Sequence, residues 1–225
     1  GLYGAQACIE FGVSNADSFG VGGCCDTARW LNVGSASGSD AQVWINLLDG
    51  DLVFKRVGGP SFNVNIKDGK HYTMKAYAEH ISSGTADELS GLTLVGMQTL
   101  VGDADNGGFV NFDLELDGGA KSFVFSPSDA EGNYVAGSNV SVNSLSFVTE
   151  EGEAGGPGPV VADCEPGETA ISFGLGETVV DGATVDAKGL SGQGGLDELN
   201  GLYGAQACIE FGVSNADSFG VGGCC

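Results

Sequence analysis

Apolar residues recur at every second position along most of this chain. In SFNVNIK (61–67), Phe62, Val64 and Ile66 fall on one side of an extended backbone and Asn63 and Asn65 on the other; Val140, Val142 and Leu145 repeat the pattern in NVSVNSLSFV (139–148), with an irregularity near Ser144. A period of two marks a half-buried strand, where a helix would repeat every 3.6 residues. The same alternation predicts strands over 41–48, 51–57, 61–67, 70–80, 91–102, 108–116, 121–126 and 139–148. Turn-forming DGD (49–51), KDGK (67–70) and DGG (117–119) punctuate them, as antiparallel neighbours require. Strands with one apolar face bury it by stacking two sheets, so the expected fold class is all-β, an antiparallel β-sandwich.

One long-range regularity reorders this picture. Residues 1–25, GLYGAQACIEFGVSNADSFGVGGCC, recur without change as residues 201–225. Identity over that length, with three cysteines in it, marks an internal repeat with a 200-residue period. The chain is therefore expected to be one period of a tandem array plus the beginning of the next. Residues 1–150 form the main body of the predicted sandwich. TEEGEAGGPGPVVAD (149–163) is acidic and rich in Gly and Pro, and 151–163 is expected to be a linker. Strand-like segments resume in ETAISFGLGETVV and run directly into the second copy, so 164–225 are expected to hold the first strands of the next repeat, shared across the repeat boundary.

Charge and cysteine content narrow the function classes. The chain carries a net charge of −22, and setting aside Glu210 and Asp217 of the copy changes it by only two. An anionic chain of this kind does not hold nucleic acid by counterion release, and an array of such units repels itself into an extended, soluble form. No stretch approaches the length of a membrane helix, so no membrane span is expected. Of the seven cysteines, one period holds four: Cys8, Cys24, Cys25 and Cys164. An even number without metal-ligand spacing points to two disulfides, with pairing open, and to an extracellular or cell-surface location.

Candidate chemistry is sparse. The two histidines, His71 and His80, lie near opposite ends of one predicted strand, about 30 Å apart at ~3.3 Å per residue. No nucleophile elbow, HExxH or phosphate-binding loop occurs, so the chain is not expected to be an enzyme. GDADNGG (102–108) places Asp103, Asp105 and Asn106 in an oxygen-rich turn that a calcium ion favours, and an ordinary polar turn has the same composition. Tyr77 and Trp30 are candidate rings for stacking on a glycan; Tyr77 lies on the strand face opposite Tyr72, Met74 and Ala76 and is expected to be exposed, whereas Trp44 is expected in the core. Lys55, Arg56, Lys67, Lys70 and Lys75 concentrate positive charge within 21 residues, while 150–200 is acidic; the two regions are candidates for a contact between neighbouring repeats. Asn139-Val140-Ser141 matches an N-glycosylation acceptor.

CEPGETAISFG, GLYGAQACIEFGV and GSNVSVNSLSF, in the order they would take in a unit starting near Cys164, resemble the jelly-roll sandwiches of secreted bacterial proteins, among them carbohydrate-binding-module-like and PEP-CTERM-type extracellular domains. The resemblance implies a jelly-roll-like order of strands. It departs at Asn143, where the last strand of those domains carries Asp, and so does not carry over a calcium site there. Together these features lead to the expectation of a structural repeat unit of an extracellular fibre, filament or large adhesin, whose partners are copies of itself joined in tandem or by strand complementation. The alternative is a carbohydrate-binding module, repeated for avidity toward a surface glycan.

Overall fold

The computed structural model describes residues 9–14, 18–22, 30–34, 42–65, 69–102, 109–135, 140–152, 166–172, 178–180, 183–185 and 210–213. In chain order the strands are β1 (Ile9–Ser14), β2 (Ser18–Gly22), β3 (Trp30–Gly34), β4 (Gln42–Leu47), β5 (Leu52–Asn65), β6 (His71–Tyr77), β7 (Leu94–Val101), β8 (Phe109–Ala120), β9 (Ser122–Ser128), β10 (Val140–Glu151), β11 (Gly167–Ser172), β12 (Thr178–Val180), β13 (Ala183–Val185) and β14 (Glu210–Val213). A short helix, α1 (Ala86–Gly91), lies between β6 and β7.

The strands form two sheets, and nearly every pairing is antiparallel, as the alternation predicts. The first sheet runs β14-β1-β4-β9-β6-β7. In the second, β5 lies between β8 and β10, and the far edge of β10 is shared. Its Val140–Val142 stretch pairs with β3, which carries β2, while Ser144–Thr149 pairs with β11, which carries β12 and β13. The irregularity expected near Ser144 is present as a register shift against β5 between Val142 and Phe147.

Alternating side chains from both sheets fill the space between them. Val43, Ile45 and Leu47 of β4, Met74 and Ala76 of β6, and Phe123 and Phe125 of β9 come from the first sheet; Phe54, Phe112, Leu145, Phe147 and Ile171 come from the second. Phe54 meets Phe123 and Phe147 edge-on at 5.2 Å each, and Phe112 lies 5.7 Å from Phe125. Burying such a ring stabilises the fold by about 1.5–3 kcal/mol, with a further ~0.5–1.5 kcal/mol from each well-oriented aromatic pair.

Three local outcomes differ from the expected strand boundaries. Gly58-Gly59-Pro60 does not separate two strands; β5 continues through it as a bulge, its register with β8 shifting between Gly58 and Asn63. Gly58 has φ +119°, and a Cβ there would sit 2.1 Å from the Phe112 carbonyl oxygen, so glycine lets two strands close on each other rather than ending one. DGG at 117–119 likewise falls inside β8, the chain turning at Gly119 (φ +76°) just before it changes sheets. Residues 85–90, expected to be a connection between strands, and Gly91, expected to open the next strand, form α1 and its cap: Thr85 is the N-cap and accepts from the Glu88 amide, while the Glu88 carboxylate takes the amides of Ser82, Ser83 and Gly84. This Thr-x-x-Glu capping pattern was the local signal for the helix.

Candidate functional site

Two regions bear on how one unit meets another: the sheet edges that carry the C-terminal strands, and the corner from which the connector to those strands departs.

At the edge of the first sheet, β14 belongs to the second copy of the duplicated sequence and pairs with β1 of the first. The pairing is parallel and in register, Glu10 opposite Glu210, Phe11 opposite Phe211, Gly12 opposite Gly212 and Val13 opposite Val213. On the second sheet, β11 pairs over six positions with the last strand of the body, from Ser144 opposite Ser172 to Thr149 opposite Gly167. Its Ile171 is fully buried opposite Leu145, and Thr149 Oγ1 both donates to the Gly167 carbonyl (3.3 Å) and accepts from the Gly167 amide (3.2 Å). Segments of 164–225 thus add strands to an edge of each sheet of the body.

At the corner, the β4–β5 and β8–β9 connections both pass from one sheet to the other, and Lys121 ties them. The side chain is 3% exposed and its Nζ donates to the carbonyls of Gly50 (2.7 Å) and Leu52 (2.5 Å). Its main chain donates to Tyr77 O and accepts from Leu47 N, both at 2.9 Å. Burial pulls the Lys121 ammonium pKa below the ordinary lysine value, and the charges of Asp49 and Asp51 only partly offset this. Asp49, itself buried, accepts from the Asp51 amide at 2.8 Å, and Asp51 O accepts from Gly152 N at 2.9 Å. Gly152 is where β10 gives way to the connector leading to β11, so the connector is rooted in the corner that Lys121 holds. Sequence reasoning placed Lys121 at the start of a strand and missed this role; its position directly after a Gly-Gly-Ala turn and before a run of apolar residues was the available signal.

The outer face of the second sheet carries the charge ladder. Arg56 makes a two-pronged pair with Asp113 (2.7 and 2.9 Å) and its Nε lies 3.2 Å from Glu115. In register, Glu115 faces Arg56, Arg56 faces Val148, and Val148 faces Glu168 of β11, so the row crosses from body to added strand. The hydrogen-bonded Asp113 carboxylate is the main influence holding the guanidinium in its charged form, and Glu115 and Glu168 add to it. Lys55 Nζ donates to Asp117 O at 3.1 Å. Lys70 is exposed and Lys75 half-buried, and Lys67 lies outside the described residues.

Tyr77 requires a correction. It does lie on the face opposite Met74 and Ala76, but it is only 4% exposed and packs with Trp44, Ile81 and Val124 under Leu89 and Leu92. The expectation of exposure took that face as open to solvent, whereas α1 and its flanking loop cover it. Tyr77 is therefore a core residue and not a stacking platform. Trp44 is buried as expected, with no hydrogen-bond partner for its Nε1. The Trp30 backbone begins β3, and its side chain lies outside the described residues.

Cys8, Cys24, Cys25, Cys164, Asp103, Asp105, Asn106 and Asn139 also lie outside the described residues. Just before residue 103, Gly102 N donates to Lys70 O (2.8 Å) and Gly102 O accepts from Gly69 N (3.2 Å). Among the described residues no group of three or more His, Cys, Asp and Glu is arranged to hold a metal, and no helix is long and apolar enough to cross a membrane. His80 lies beyond the end of β6 and is hydrogen-bonded through Nε2 to Leu47 O, and His71 opens the same strand.

No protein-family model, curated protein or solved structure matches the chain.

Proposed function

We propose that this chain is a structural repeat unit of an extracellular fibre, filament or large surface adhesin, joined to its neighbours along a tandem chain. The observation that carries the reading is the position of β14. The duplicated sequence has its second copy paired in register beside its first, at an edge of a sheet that the body completes without it. A unit whose sheet edge accepts the opening strand of the following copy can continue from unit to unit without a change of chemistry. The acidic surface keeps such an array extended and soluble. The jelly-roll strand order, the disulfides and the extracellular location belong to the same proposal, as does calcium at the 103–106 loop.

The glycan-binding alternative has lost Tyr77 to the core and retains Trp30 as its one candidate ring. Negative-stain electron microscopy of the native material distinguishes the two readings. The structural role requires rods or beaded threads of uniform width, and isolated globular particles would count against it.

A further inference from the structure

The connection between β10 and β11 is far longer than its geometry in this chain needs. Glu151 and Gly167 end neighbouring antiparallel strands, which hairpins of about two to five residues ordinarily join, yet 152–166 separate them. Fully extended, that stretch reaches roughly 50 Å, enough to cross from one unit to another. The body, for its part, presents β11 with a prepared slot. Leu145 and Phe147 line the apolar side, Thr149 supplies a hydroxyl that satisfies both main-chain groups of Gly167, and Arg56 on the outer face stands across Val148 from Glu168.

From this geometry we infer that the slot along Ser144–Thr149 of β10 is an exchangeable joint, which takes the Gly167–Ser172 strand of a second copy of this chain in place of its own. The inference rests on the repeat reading. In an array each body is flanked by two identical 167–172 segments, one ahead of its β1 and one after its β10, and the slot has room for one. The spare segment at an end of the chain is the donor for the next chain. The ladder, the buried Ile171 and the charge row do not depend on which copy supplies the strand, so cis and trans closure differ chiefly in the entropy of the connector.

Co-refolding tests this with the full chain. Unlabelled and nitrogen-15-labelled protein are unfolded together, refolded at low and at high concentration, and weighed by native mass spectrometry. Mixed-mass dimers are expected, their share rising with concentration, and they should separate in denaturant without reductant, which excludes a disulfide as the link. Ile171→Asp, which puts a carboxylate into the slot, should reduce the dimer at least tenfold. Gly167→Pro should lower it as well by removing the amide that donates to Thr149 Oγ1, and, lying at the end of the strand, it guards against a folding failure of the first variant. Monomer alone at every concentration overturns the joint, as do dimers that persist in both variants. Failure here leaves the tandem array standing, because the mass of the native chain is measured separately.

Discussion

Lys121 donates its ammonium to the carbonyl of Leu52 at 2.5 Å, across the corner where two connections change sheets. The same group reaches Gly50 O at 2.7 Å, so one buried cation closes a turn that would otherwise present unpaired carbonyls to the interior. The connector toward β11 is anchored to this corner through Gly152 and Asp51. A pull on the connector therefore reaches Asp51 first, and Lys121 holds the residues on either side of it.

Removing the ammonium should loosen the corner. Lys121→Ala is expected to lower unfolding free energy by about 2–3 kcal/mol, the cost of buried carbonyls left without donors, read as a shift in the urea midpoint. The pH dependence has a defined sign. Because the folded pKa lies below the unfolded value of 10.5, the unfolded chain binds more protons between the two, and stability contributed by this group rises as pH climbs through that window. The variant should lose that rise.

The α1 cap protects the outer cluster. Thr85→Ala should cost about 1 kcal/mol. Glu88 responds to burial, which raises its pKa, but hydrogen bonds from Ser82, Ser83 and Gly84 outweigh it and hold the pKa below 4.5. Its contribution is thus complete above the unfolded value and is lost as pH falls through the folded one. Trp44 reports the event, because α1 and its loop cover its cluster: its emission should shift to longer wavelength in Thr85→Ala at acid pH before the sheets unfold.

Gly58 is the position least able to accept a side chain. Gly58→Ala must move the Phe112 carbonyl and also adopt a positive φ, and is expected to destabilise by about 2–3 kcal/mol in thermal or urea unfolding. By contrast Gly69, also at positive φ (+67°) but with nothing within 4 Å of an added Cβ, should lose less on the same substitution.

The two-sheet architecture was legible because the inner-face residues obey a period of two: Val43, Ile45 and Leu47, or Phe123 and Phe125, are buried as their spacing requires. Alternation says which face a residue occupies and is silent about what lies on top of that face. Tyr77 lies on the side its spacing gives and is buried all the same, since its cover comes from residues 81–92, beyond the end of its own strand. Punctuation misled where glycine served close approach rather than chain reversal, as at Gly58. Lys121 escaped notice because a lysine at a strand end is ordinarily a surface residue, and only the meeting of two sheet-crossing turns makes its burial favourable. Arg56, a candidate for a contact between repeats, is engaged by Asp113 and Glu115 and stands in register with Glu168 across one intervening strand.

The mass of the native polypeptide tests the central claim most directly. Denaturing, reducing gel electrophoresis of the native material should give a band many times the 22.7 kDa of this chain. A single band near one period, from material that also sediments as a monomer under native conditions, would contradict a structural array.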